Sequence, residues 1–335
     1  MVRIAIDAMG GDFAPEAIVT GALKAAQEHP KAHFILVGSR NHVFPLLPSS
    51  LPPNVQVHHT PRWIRMDERP VQAVRAKPDA SINVACRLVA NGEADAVLTM
   101  GHTGAAFAAA RFIFGLLPGV ERPAVLVPYL AIHPRMVLID IGANADVRPY
   151  HLLQFAVMGT VYAERVLGIP RPRVGLLTLG TEPRKGPLEV QDAYDLLEQS
   201  DLNFAGCIEG LDVAYGRVDV VVHSGFVGNI VLKLTEGLVD VLLTRAADRA
   251  AAAAGEAASR VRQAIAELKA ENDYAHIGAA LLLGVNGLIY IGHGRSRENA
   301  VQGAVRTLLQ GVRGNLLDHL RQALVTRLPT SPEHL

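Results

Sequence analysis

Short runs of apolar and β-branched residues recur along the chain at Val2–Ile6, Phe34–Val37, Ala96–Leu98, Ala124–Val127, Val137–Ile139, Val174–Leu177, Val218–Val222 and Leu288–Ile291. Runs of this kind, without polar alternation, suit strands covered on both faces. Between several of them, residues 17–27, 83–91 and 152–166 repeat apolar positions at helical spacing. This alternation of strand and helix predicts an α/β fold on a largely parallel sheet.

From Val231 to Lys269 the pattern changes. Leu234, Leu238, Val241 and Leu242 share one helical face and Val261, Ile265 and Leu268 another, with the alanine-rich Ala250–Gly255 between them. Two helices meeting near Gly255 predict a hairpin over 231–270 that buries these stripes against each other or against a second copy of the chain. Ala251–Ser259 offers no Leu, Phe or Trp to enter lipid, so packing outweighs membrane insertion as a use for the tip. Residues 1–328 are expected to form one α/β domain, elaborated or divided into two lobes, followed by a frayed tail over 329–335.

The 335 residues are half hydrophobic, and 32 basic residues balance 32 acidic ones. A neutral chain has no electrostatic footprint for nucleic acid or a strongly anionic membrane, so the ligand is expected to be small or locally steered. The two cysteines, Cys86 and Cys207, lack the spacing of a zinc site or redox dithiol and read as buried thiols. Val2–Asp7 reads as a strand rather than a leader, and no segment is apolar enough to span a bilayer, which points to a cytoplasmic enzyme.

The candidate chemistry sits in glycine-rich turns placed after predicted strands. Asp7-Ala8-Met9-Gly10-Gly11-Asp12 follows the first, Met100-Gly101-His102-Thr103-Gly104 another and Asp140-Ile141-Gly142-Ala143-Asn144 a third. Such turns are expected to converge at one sheet edge and to offer backbone amides at helix starts, a setting that favours an anion such as phosphate. Any one of them has a plain use as a turn. Gly180–Gly186 places Glu182 and Lys185 beside the same edge, and Ser224–Asn229, with Gly228, leads to Lys233 one helical turn later. Lysine suits a phosphate oxygen, although a capping Asn229 and a solvated Lys233 are the plainer alternatives. His293, in Gly292–Ser296, can act as acid, base or oxyanion donor, or be an ordinary loop histidine. The dinucleotide fingerprint, the P-loop ending, a metal-ligand spacing and a serine triad are not apparent, so a covalent serine mechanism and a metal are unsupported.

The segments IAIDAMGGDFAPE, MDERPVQAVRAKPDAS, GHTGA, DIGAN, QFAVMG, GLLTLGTEPRKG, DVVVHSGFVGNIVLKLTEG and LLLGVNGLIYIGHGRS, in this order, resemble the PlsX family of phosphate acyltransferases almost from end to end. The resemblance implies a three-layer α/β/α sandwich related to phosphotransacetylases and isopropylmalate-type dehydrogenases, with a protruding helical hairpin, commonly as a homodimer. It implies transfer of a long-chain acyl group from acyl carrier protein to inorganic phosphate in phospholipid biosynthesis, a reaction that requires no cofactor. The acyl phosphate would pass to a membrane glycerol-phosphate acyltransferase. Some members associate peripherally with the membrane through the hairpin tip.

Carried over on matching motifs, Lys185, Asn229, Lys233 and His293 are the expected catalytic residues. Gly10, Gly11, Asp12, Gly101, His102, Thr103, Gly104, Asn144, Glu182 and Gly228 are expected at the phosphate or acyl-phosphate end. The sequence departs from the family at His102 and Thr178, where Asn is usual, at Ser224, where Asp is usual, and at Ala279-Ala280-Leu281, which replaces Gly-Ala-Pro. These departures motivate a catalytically weakened acyl-carrier-binding paralogue as an alternative. An NAD-dependent decarboxylating dehydrogenase of the related fold is a more distant one. The acidic carrier is expected to dock on a local basic patch, either Arg62, Arg65 and Arg69 or Arg245, Arg249 and Arg260.

Overall fold

Every predicted apolar run becomes a strand. In the computed structural model, which describes residues 1–128, 133, 135–251, 255–271 and 274–328, the strands are β1 (Val2–Asp7), β2 (Ala32–Gly38), β3 (Val55–His59), β4 (Ala96–Thr99), β5 (Ala124–Pro128), β6 (Val137–Ile139), β7 (Val174–Leu177), β8 (Phe204–Ile208), β9 (Val220–Val222), β10 (Ala280–Leu283) and β11 (Ile289–Ile291). The helices are α1 (Glu16–Glu28), α2 (Arg40–Val43), α3 (Pro70–Ala76), α4 (Ser81–Ala90), α5 (Thr103–Ile113), α6 (Pro149–Arg165), α7 (Leu188–Glu198), α8 (Gly210–Ala214), α9 (Gly225–Ala251), α10 (Glu256–Glu271), α11 (Glu298–Arg313) and α12 (Leu316–Arg327). The expected hairpin tip at 252–254 and the tail at 329–335 lie outside the described residues.

All eleven strands join one sheet in the order β3-β2-β1-β4-β11-β10-β5-β6-β9-β7-β8. The two outermost strands, β3 and β8, had no apolar signature because each leaves several residues exposed or half-exposed at a sheet edge. From β3 to β11 the neighbours are parallel, and from β6 to β8 they are parallel again. Between these halves β10 runs antiparallel to β11 and β5, and β5 antiparallel to β6. The two parallel halves therefore run in opposite directions.

Alternate side chains along each strand enter different layers. Ile4, Ile6, Leu98, Leu126 and Ile139 face a core shared with α1, α6, α11 and α12. Ala5, Val97, Val125 and Ile289 face a second core under α4 and α5, and Val127, Leu138 and Val221 a third that includes Val213 of α8 and Leu232 of α9. The expected α/β/α sandwich is thus present, with one helical layer continuous and the other divided in two. α6, with fourteen of its seventeen residues buried, is apolar on nearly every side because it lies beneath the middle of the sheet. α9 and α10 pack on each other as the expected hairpin, but α9 starts at Gly225, so Asn229 and Lys233 are helical residues.

Candidate active site

On the first sheet edge, the turns after β1, β4 and β11 interlock. The buried Asp7 carboxylate, at the end of β1, accepts from Thr99 Oγ1 at 2.8 Å and from the Met9 amide at 3.2 Å. Thr99 Oγ1 in turn accepts from the Gly101 amide at 3.0 Å. Burial pushes the Asp7 carboxyl up, against the pull of these donors. Gly10 must be glycine for this approach, since a Cβ there would lie 2.6 Å from Asp7 Oδ2 and 2.9 Å from Gly101 Cα. The Asp12 amide donates to Gly294 O at 2.8 Å, joining the first turn to that of His293.

On the opposite edge, Asp140 at the end of β6 is fully buried. Its Oδ1 accepts from the amides of Val125 at 3.0 Å, Gly142 at 3.2 Å and Ala143 at 2.9 Å. Its Oδ2 accepts from Asn144 N and Asn144 Nδ2, both at 2.8 Å. Asn144 Nδ2 also donates to Pro123 O at 2.8 Å, and Asn144 O accepts from the Gly225 amide at 2.7 Å. One carboxylate thereby ties β5, the 141–145 turn and the start of α9 together.

This arrangement corrects two expectations. The glycine turns do not meet at one edge, because the reversal of strand direction puts 7–12, 100–104 and 292–296 on one side and 140–144, 178–186 and 223–229 on the other. Nor are the amides of the 140–144 turn offered to an anion, since Asp140 takes those of Gly142, Ala143 and Asn144. Asn144, expected at the phosphate, is a buried brace of that turn.

The two edges are brought together by α5 and α9, which flank the gap in the divided helical layer. A cavity of about 480 Å³ fills the gap. Its floor is Val125 and Val127 of β5, Ala280 of β10 and Ile291 of β11, and Phe107 of α5, Phe226 and Leu232 of α9, Ile141 and Ile277 extend the apolar lining. Thr103 at the start of α5, His293, and Asn229, Lys233 and Glu236 of α9 supply the polar groups. α9 rises about 12 Å between Gly225 and Lys233. It therefore carries Lys233 from the Asp140 edge toward the His293 edge, where the imidazole feels both Lys233 and Glu236. Burial first, and then the Lys233 charge, hold His293 below the usual imidazole value. A neutral imidazole, an amide, a hydroxyl and an ammonium thus border an apolar chamber, a set able to hold an anion beside an apolar chain and to donate hydrogen bonds to a developing oxyanion.

Of the expected residues, Thr103, Asn229, Lys233 and His293 line this cavity. Gly10, Gly11, Asp12, Gly101, His102 and Gly104 shape the turns behind Thr103 and His293 and are not in the lining. Gly228 is a packing glycine, with space for a Cβ closed by Asp140 O and the His223 ring. Lys185 and Glu182 stand outside the cavity at the end of β7, more than half exposed and paired with each other at 2.8 Å. The structure does not bring them to Lys233. In the first basic trio, Arg62 is paired with Asp79 and Arg65 with Asp67, which spends two of its three charges.

The departures from the family take over local bonds. Ser224 Oγ accepts from the Val227 amide at 3.4 Å, as an N-cap of α9. His102 Nδ1 accepts from the Gly104 amide at 3.1 Å and caps α5. Thr178 Oγ1 donates to Lys185 O at 3.0 Å and braces that turn. None of the three lines the cavity. Sequence reasoning missed Glu236, Asp140 and the apolar lining. Glu236 had a signal in its i+3 spacing from Lys233, whereas the lining comes from elements far apart in sequence.

The fold defines the class first. The chain superposes on the EutD phosphotransacetylase from Staphylococcus aureus with a TM-score of 0.60 at 16% identity, covering 93% of this chain and 94% of that one. A phosphotransacetylase from Streptococcus pyogenes gives 0.59 at 17% identity over 97% and 94% of the two chains. The 4-hydroxythreonine-4-phosphate dehydrogenase from Klebsiella pneumoniae gives 0.57 at 14% over 96% and 98%. At such identities the fold alone is shared. The family follows from sequence: over residues 2–317 the chain matches, and belongs to, the family described as fatty acid synthesis protein. Its relative in Desulfitobacterium hafniense (strain DSM 10664 / DCB-2) is 43% identical over 327 residues, 96% of this chain and 98% of that one. That in Desulforudis audaxviator (strain MP104C) is 44% identical over 318 residues, 94% of each. Both are named phosphate acyltransferase, an acyl-transferring enzyme.

Proposed function

We propose that the protein transfers a long-chain acyl group from the thioester of acyl carrier protein to inorganic phosphate, releasing acyl phosphate and free carrier for phospholipid synthesis. The observation that carries this reading is the joining of an apolar cavity of about 480 Å³ to Asn229, Lys233 and His293. The chain would lie along Phe107, Val125, Val127 and Phe226, with the thioester at the polar end. Lys233 would hold phosphate there by charge, and the amide of Asn229 and the N–H of neutral His293 would donate to the carbonyl oxygen as it becomes an oxyanion. A phosphate oxygen attacks the carbonyl carbon, and collapse of the tetrahedral intermediate breaks the C–S bond. The carrier thiolate is a good leaving group, so weak acid assistance suffices.

The name shared by the relatives supports phosphate as the acceptor. The carrier, the homodimer and the membrane acyltransferase that takes the product belong to the same proposal. The dimer has support in the exposed apolar stripe Ile230, Leu234, Leu238, Val241 and Leu242 of α9, which a second copy would cover. Among the described residues no helix is long and apolar enough to cross a membrane.

The test is phosphate-dependent release of free thiol from palmitoyl acyl carrier protein, with Lys233→Ala and Lys185→Ala beside the parent. Release that needs phosphate and falls at least tenfold in Lys233→Ala is expected. Carrier binding without release would favour the weakened paralogue instead.

A further inference from the structure

The polar end of the cavity contains a carboxylate for which acyl transfer to phosphate has no evident use. Glu236 lines the cavity one turn beyond Lys233, and its Oε2 accepts from Lys233 Nζ at 2.9 Å. Asn229, Lys233 and Glu236 follow one another at i, i+4 and i+7, so they form one row along α9. The row faces His293, whose protonation Lys233 opposes and Glu236 favours. The side chains of Lys233 and Glu236 are 46% and 29% exposed, at the wet end of the cavity. An anion that comes to Lys233 therefore meets a carboxylate already in place and tethered to the same helix.

We propose that Glu236 is a positioning residue that acts through Lys233 and sets which anions the site accepts. In the empty site it holds the ammonium toward the cavity. It yields the ammonium only to an anion that outcompetes a tethered carboxylate. Chloride, nitrate or acetate brings no more charge than Glu236 and lacks the advantage of the tether. The phosphate dianion brings twice the charge and enough acceptor oxygens for Lys233, Asn229 and His293 together. Glu236 also repels that dianion, so discrimination against monoanions comes with weaker phosphate binding than a bare lysine would provide. The inference rests on reading Asn229, Lys233 and His293 as the phosphate end of the cavity.

Glu236→Gln tests it, because the amide oxygen can still accept from Lys233 Nζ while the negative charge is gone. In thiol-release assays at pH 8, KM for phosphate is expected to fall about fivefold, the scale of one partly exposed charge, with kcat changed less than twofold. Sodium chloride and sodium acetate at 0.1 M, nearly inert on the parent, are expected to compete with phosphate in the variant. Glu236→Asp, which restores a carboxylate, should recover much of the resistance. An unchanged or raised phosphate KM in Glu236→Gln, or equal monoanion inhibition of parent and variant, overturns the proposal. Calorimetric titration of inorganic phosphate into the same proteins separates this outcome from a failure of the acyltransferase reading. Tighter phosphate binding by Glu236→Gln without thiol release leaves the anion filter standing and sinks the transfer reaction. Equal binding sinks the filter whatever the turnover.

Discussion

Gly228→Ala sets two opposing effects against each other, and the structure decides the sign. Gly228 is inside α9, where exchanging glycine for alanine ordinarily stabilises by about 1 kcal/mol through backbone entropy. Here the added Cβ would lie 2.2 Å from Asp140 O and 2.2 Å from the His223 ring. Ordinary contact requires a retreat of more than 1 Å. Neither neighbour is free to make it. Asp140 is held by five N–H donors to its carboxylate. The main chains of His223 and Ile139–Asp140 bond each other in both directions, His223 N to Ile139 O at 3.0 Å and Asp140 N to His223 O at 3.3 Å. Overpacking a rigid core costs about 1–3 kcal/mol, and backbone as the obstacle places this case at the upper end. A net loss of about 2 kcal/mol is therefore expected, read as a lower urea midpoint at unchanged slope. Gly237 on the same helix meets no atom within 4 Å of an added Cβ, so Gly237→Ala should gain about 0.5–1 kcal/mol. A Gly228→Ala protein as stable as the parent would refute the packing argument. If it also bound phosphate poorly, Gly228 would return to the ligand contact expected from its motif.

Three further outcomes follow from named contacts. His102→Ala removes the acceptor for the Gly104 amide and should cost about 1 kcal/mol in chemical unfolding, whereas His102→Asn keeps a cap and should be neutral. His223 is buried and its imidazole is pushed down to about 4 by burial, so the unfolded chain takes up its proton first as pH falls. The contribution of His223 to stability should therefore be constant above about pH 6.5 and decline toward pH 4 by about 3 kcal/mol, from 2.5 pH units at 1.36 kcal/mol each. In a pH series of unfolding midpoints, His223→Gln should lose less stability between pH 6.5 and pH 4 than the parent does, by about that amount. Asp140→Asn keeps one acceptor but turns an NH₂ toward the two donors of Asn144, and should lower stability by about 3 kcal/mol and catalytic efficiency with it. Full activity in that variant would mean that the 141–145 turn is held by something else.

The strands and helices could be read because local burial leaves a local pattern. Ile4–Ile6 or Val137–Ile139, buried on both faces, has no polar position to break the run. β3 and β8 could not be read in this way, because an edge strand such as Val55–His59 exposes three of its five residues and looks like a loop. In the site, Asn229, Lys233, Thr103 and His293 were found through motifs and then placed together by the fold. The turn amides were misread because a glycine turn looks the same in sequence whether its N–H groups face a ligand or a buried carboxylate. Lys185 was expected beside Lys233 because β7 and β9 are parallel neighbours that end at the same edge, but Lys233 lies two helical turns along α9, which carries it about 12 Å from that edge and into the cavity.

By itself the sequence determined the alternation of strand and helix, the glycine turns at strand ends, the helical pair over 231–270 and membership in an acyl-transferring family. These depend on local preference and on residues near in the chain. Only the tertiary structure decided that the half-sheets run in opposite directions, that Asp7 bonds Thr99 ninety-two positions away, and that α5 and α9 enclose one cavity between two sheet edges. Such features arise from contacts between distant segments, and the geometry of each depends on how the whole sheet is ordered.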